Sequence, residues 1–290
     1  MKPTAIVIAV LAMCIGSFGQ GNNKPAAQNP PAGQTAGQAA AAPQGKRPPQ
    51  AKTQPEFEAY KAAMAQPDGA ATEKAADDFA AKFPDSELRV ELYKSAMQKY
   101  QQANNADKML EMAQKALTYD ADDPTALLGA AQVLAERTRE TDLDKDQRLG
   151  EAKKDAERAL VTVDTDIPTA GVPQDRLDAY KGFVKSEAYA IVGTLAFNAK
   201  NWPDAETNLR KSIDAFPQQP DPVAVFRLAV ALDMQNKIPE AMKYADQAVD
   251  LTKDRPDTGV GRAARAEKDR LTKLSGGTAP GQNPTTPPKN

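Results

Sequence analysis

The chain contains no histidine, and its single cysteine, Cys14, lies inside an N-terminal apolar stretch. The first absence removes the commonest general acid–base side chain. Together they remove a disulfide framework and any Cys/His metal site. Aromatic residues are only 6% of the 290, and runs of β-branched residues are scarce after residue 15. With Ala and Gln abundant, that balance disfavours a sheet and favours helices packed through small side chains. Ser17, Ser86, Ser95, Ser186, Ser212 and Ser275 all fall outside G-x-S-x-G and S-x-x-K settings, and no Gly-rich phosphate loop occurs. Catalysis has no signature here, and no cofactor is implied.

Charge is unevenly laid out. Residues 1–54 hold five Lys/Arg and no acid, and residues 275–290 hold only Lys289. The body, 55–274, therefore carries 31 basic against 39 acidic side chains, a net of −8. Nucleic acid is excluded as the main ligand, because neutralising phosphates takes clustered cations. After Lys2 come eleven apolar residues, Ala5 to Ile15. That run is too short to cross a ~30 Å hydrocarbon layer but suits an export signal. Ser17-Phe18-Gly19 offers small residues for cleavage before Gln20, giving a signal peptide over 1–19. Leu11-Ala12-Met13-Cys14 is similar to a bacterial lipoprotein box, with Met13 departing from its small-residue position, and would leave a lipid anchor on Cys14. Both readings place the protein outside the cytoplasm, periplasmic or secreted, without a membrane span.

Residues 20–54 and 275–290 have almost no large apolar side chain. They bury too little to offset the entropy of ordering, so a disordered tether and a disordered tail are expected. Between them the pattern is helical and paired. Trp202-Pro203-Asp204-Ala205 is answered 36 positions later by Ile238-Pro239-Glu240-Ala241. Proline belongs in a helix's first turn, where its missing N–H costs nothing, and the following acid complements the positive helix start. The phrase is the start signal of a second helix. Five helix pairs fill 55–253, turning at Pro67-Asp68-Gly69, at Asn104-Asn105, across the charged run 137–149, before Trp202 and before Ile238. A charged helix from Gly259 to Leu274 caps the series. The fold class is all-α, an α-solenoid of about five helix-turn-helix units, because one hairpin cannot bury its own apolar face.

The fourth and fifth pairs resemble tetratricopeptide repeats, units of about 34 residues. Tyr189, Gly193, Trp202, Ala205, Leu209, Ser212 and Pro217 fall at that pattern's positions, as do Leu228, Ala229, Ala241, Ala245 and Ala248. Lys253 stands where the fifth unit's closing proline is due. The second and third pairs fit more loosely, and "ADDFAAKFPDSELRVELY" resembles repeats of bacterial envelope proteins. The resemblance implies a non-enzymatic interaction scaffold whose first helices line a concave groove for a protein or peptide. It implies groove positions at Lys94, Gln98, Gln101 and Gln102; Gln132 and Glu136; Thr194, Phe197 and Asn198; and Phe226, Val230, Asp233 and Met234. Lys94, Gln98 and Gln132 are expected to be able to donate to an extended peptide, with none needed to hold a core. The apolar end at Phe226 suits a partner helix, a neighbouring subunit or the chain's own terminal helix. An alternative role is a lipid-anchored component of an envelope assembly.

The sequence carries two weaker signals. Asp142, Asp144 and Asp146 take the first three positions of a calcium loop, but Gln147 and Lys153 replace its pivotal glycine and bidentate acid. A solvated loop is the expectation there. Met64, Met97, Met109 and Met112, with Trp202, are expected to fill core.

Overall fold

The computed structural model describes residues 46–276. The expected leader, Cys14, most of the tether and the end of the tail lie outside the described residues. Within them are eleven helices: α1 (Gln54–Met64), α2 (Gly69–Lys82), α3 (Arg89–Gln102), α4 (Ala106–Tyr119), α5 (Pro124–Arg137), α6 (Lys145–Thr165), α7 (Gln174–Asn198), α8 (Trp202–Ala215), α9 (Pro222–Asp233), α10 (Ile238–Leu251) and α11 (Gly259–Leu274). Lys46 and Pro168 form an isolated parallel bridge, and no strand occurs among the described residues.

The starts follow from local chemistry. Asp68, Asn105, Asp123, Asn201, Asp221 and Thr258 each accept a backbone N–H from the first turn of α2, α4, α5, α8, α9 and α11. Pro203 and Pro239 occupy the first turns of α8 and α10. The hairpin turns are also shared. Asn104, Lys200 and Asn236 have φ of 56°, 58° and 60°. In each case the next residue donates back five positions: Asn105 to Tyr100, Asn201 to Ala196 and Lys237 to Leu232. This left-handed helix stop sends the second helix back along the first.

Every helix packs on its sequence neighbours. In addition α1, α3, α5, α7, α9 and α11 each touch the next member of that series. The second helices, α2 to α10, make no comparable contact with one another among the described residues. First helices thus form a continuous inner layer and second helices an outer one, the geometry of an α-solenoid. Small residues set the spacing between layers. Ala113, Ala152, Ala205 and Ala241 are fully buried. At Gly193 an added Cβ would lie 2.8 Å from Leu209 Cγ and 3.1 Å from its backbone nitrogen. Helix α11 takes the place of the next first helix, burying Leu271 with Leu228 and Leu232.

Residues 46–53 correct an expectation. Their composition placed them in the tether, yet they lie along the solenoid as a strap. Lys46 pairs with Asp120, and Arg47 with Glu87 in a two-pronged contact whose longer arm is 2.8 Å. Lys52 Nζ donates to the Asp85 carbonyl at 2.7 Å, and its backbone N–H to Glu56 at 2.6 Å. Composition misses this because the strap is fixed by cations and backbone rather than by large apolar side chains.

Candidate functional site

The inner layer is hollow near its N-terminal end. A cavity of about 620 Å³ is bounded by α1, α3, the start of α5, the loop after α6 and the start of α7. Phe57, Tyr60 and Met64 come from one side, and Leu177 and Tyr180 from the other. Ile167, in the loop after α6, is 4% exposed and closes one wall. Pro48 and Pro49 of the strap line the rim. Such a volume matches an extended segment or a small ligand.

The floor is polar. Lys94 Nζ donates to Asp123 Oδ2 and Glu91 Oε1, both at 2.8 Å. Burial alone would pull the Lys94 ammonium down, but Asp123 and Glu91 override it and hold it above the usual lysine range. Asp123 is doubly used, since its Oδ1 caps α5 through the Ala126 N–H at 2.8 Å. Beside this triad the Tyr180 hydroxyl meets Thr125 Oγ1 at 2.6 Å. Burial pushes the Tyr60 phenol up to about 12, with nearby Glu91 adding to it. Three carboxylates, Glu91, Asp123 and Asp166, against the ammoniums of Lys61 and Lys94 leave the cavity lining net negative among its apolar side chains.

A second polar row continues along the inner layer from α3 to α9. Gln101 Nε2 lies 3.5 Å from Gln132 Oε1, and Gln132 Nε2 donates to Glu136 at 3.2 Å. Glu187, on α7, is pushed up to about 7 by burial, reinforced by Asp221 and Glu136. Arg227 faces the same carboxylates and donates to Thr194 Oγ1 at 2.8 Å. Its burial, which pulls the guanidinium down, outweighs the two acids.

The expected groove residues are therefore split. Lys94 and Gln98 line the cavity, while Gln101 and Gln132 lie beside it around a smaller depression with Glu187. Thr194 is engaged by Arg227, and Asn198 is exposed at the end of α7. At the far end Asp233 is 9% exposed and paired with Arg270 of α11. Phe226 packs against the cluster of Val225, Ala248 and Ala264, and Val230 is half-buried. The chain's own terminal helix has taken up Asp233 at that end.

Lys94 requires a correction. The expectation has it donating to a peptide with no part in holding the fold, but it holds α3 to α5 through Asp123. The residues that shape the cavity, Phe57, Tyr60, Ile167, Leu177 and Tyr180, were missed. A usable signal was present at α7, which runs 25 residues and so carries Leu177 and Tyr180 ahead of the repeat register. Elsewhere, Asp142 accepts the Arg139 N–H at 2.8 Å, and no cluster of three or more His, Cys, Asp or Glu placed to hold a metal occurs among the described residues. No helix among the described residues is long and apolar enough to cross a membrane. No protein-family model and no curated protein matches the chain.

Proposed function

We propose that this protein is a non-enzymatic adaptor of the bacterial cell envelope, built from tetratricopeptide-type repeats, that binds an extended segment of a partner protein in its inner groove. One observation carries the reading: a cavity of about 620 Å³, apolar in its walls and polar at its floor, opens on the inner row of helices. Apolar walls supply affinity, and a few fixed polar groups orient a peptide backbone. The sequence carries no G-x-S-x-G, S-x-x-K or Gly-rich phosphate-loop setting, which favours binding over chemistry. Export rests on the apolar run after Lys2, and the mass of the mature N-terminus separates cleavage before Gln20 from lipidation at Cys14.

The binding site is tested by selecting a displayed peptide library on the full chain. Ser95 lines the cavity, so Ser95→Trp fills it, whereas Lys154→Trp changes an exposed site on α6, in the outer layer. The expected result is peptide enrichment on the wild type and on Lys154→Trp, and none on Ser95→Trp. Enrichment that survives Ser95→Trp places binding elsewhere.

A further inference from the structure

The strap that crosses the cavity rim carries specific chemistry: Lys46-Arg47 followed by Pro48-Pro49. Its cations meet acids at helix ends. Asp120 and Asp166 are the C-cap residues of α4 and α6, and Lys46 pairs with the first and lies 4.0 Å from the second. Glu87, just before α3, takes Arg47. Two helix C-termini add their negative dipole ends to these carboxylates. These acids favour positive charge beside the cavity; Asp166 is also one of its lining residues, where with Glu91 and Asp123 it outnumbers Lys61 and Lys94. The two prolines reach the cavity wall, which needs no backbone donor from them. The Lys46–Pro168 bridge shows an extended chain pairing with the loop after α6.

The strap's two basic side chains are held by partly exposed pairs. The Arg47 side chain is 64% exposed and that of Lys46 38%, so these are solvent-screened pairs of small individual worth. What keeps them occupied is covalent attachment, since a short tether confers an effective concentration of order millimolar. A ligand of the same chemistry on another protein has only that concentration to beat.

We propose that the cavity rim recognises an extended partner segment in which adjacent basic residues precede prolines, and that Lys46–Pro49 is an intramolecular copy of that ligand which masks the site. The inference rests on the groove reading above and specifies its ligand. It predicts that displacing the strap exposes the cavity, so that partner binding and strap release are one exchange.

The test uses the full chain and two labelled peptides read by fluorescence anisotropy. One peptide is QGKRPPQAKT, the sequence of residues 44–53, and the other is its charge-reversed form QGEEPPQAKT. Lys46→Glu/Arg47→Glu repels the strap and should bind the basic peptide at least about tenfold more tightly than wild type. Lys46→Ala/Arg47→Ala, which introduces no repulsion, should move in the same direction. Asp120→Lys/Glu87→Lys should bind the acidic peptide. The variant carrying all four reversals re-pairs its strap and should bind neither peptide better than wild type. Equal affinities across these variants, with melting curves intact, overturn the masking inference while leaving library selection on the groove untouched. Basic-peptide binding that survives Ser95→Trp in the strap-reversed chain overturns the groove reading itself. A strap-released chain that dimerises with rising concentration in sedimentation identifies a second copy as the occupant and overturns the partner assignment.

Discussion

Lys94 and Glu187 sit on the same inner layer, and their environments push them in opposite directions. Lys94 has two carboxylates and a side chain 19% exposed, so its charge is locked in. Replacing it with alanine leaves Asp123 and Glu91 facing each other with no cation between them. Discounting for partial exposure, the loss should be ~1–3 kcal/mol, read as a lower urea midpoint. An unchanged midpoint would mean the pair does not tie α3 to α5. Glu187 has neighbours of its own sign, Asp221 and Glu136, and little water. Its folded-state value of about 7 stands above that of an unfolded glutamate. The folded protein therefore holds a proton that the unfolded chain releases, and stability falls as pH rises from about 4.5 to about 7. Glu187→Gln should remove that slope and raise stability at pH 8 by ~1–3 kcal/mol, with little change at pH 4. Parallel curves for the two proteins in urea titrations at both pH values would show that Glu187 is solvated after all.

At the scale of the helix, most of the architecture was legible. The Pro-acid-Ala phrase marks the starts of α8 and α10 because proline and acid are both favoured in a first turn. Asn104-Asn105 was legible as a turn for its tolerance of positive φ. The equivalent stop at Lys200 was not, since a lysine gives no such sign and tertiary packing imposes the conformation. The small residues Gly193, Ala205 and Ala241, which fall at repeat-pattern positions in the sequence, are all buried. Gly193→Ala forces its Cβ against Leu209. It and Ala205→Leu should each cost ~1–3 kcal/mol, visible as earlier thermal unfolding. Wild-type melting in both would mean that the layers can separate at no cost. The cavity was much less legible. Groove positions carried by repeat register found Lys94 and Gln98 but not Tyr60, Ile167 or Tyr180. Those arrive through an over-long α7 and an irregular loop, which periodicity does not describe.

Over the whole molecule, the inner layer does two different jobs at its two ends. Near α9 the terminal helix packs against it, with Arg270 on Asp233 and Leu271 in the core. Near α1 to α7 the layer leaves a cavity, with Pro48 and Pro49 of the strap in its lining. The strap was illegible because its sequence is that of a linker, and its order depends on acids brought together from α3, α4 and α6. Removing residues 46–53 together with those before them should therefore lower the melting temperature, at ~2–4 °C per kcal/mol for a chain of this size. A strap that merely drapes over the surface would leave melting unchanged.

Entry of partners by the inner face, as proposed above, is testable by light-driven cross-linking from single positions. A photoreactive phenylalanine analogue at Ser95, on the cavity wall, should yield partner adducts on irradiation in the native cell. The same residue at Lys154 or Lys211, on the outer helices α6 and α8, should yield none. Adducts from the outer positions with none from Ser95 would place the binding surface on the outer face instead.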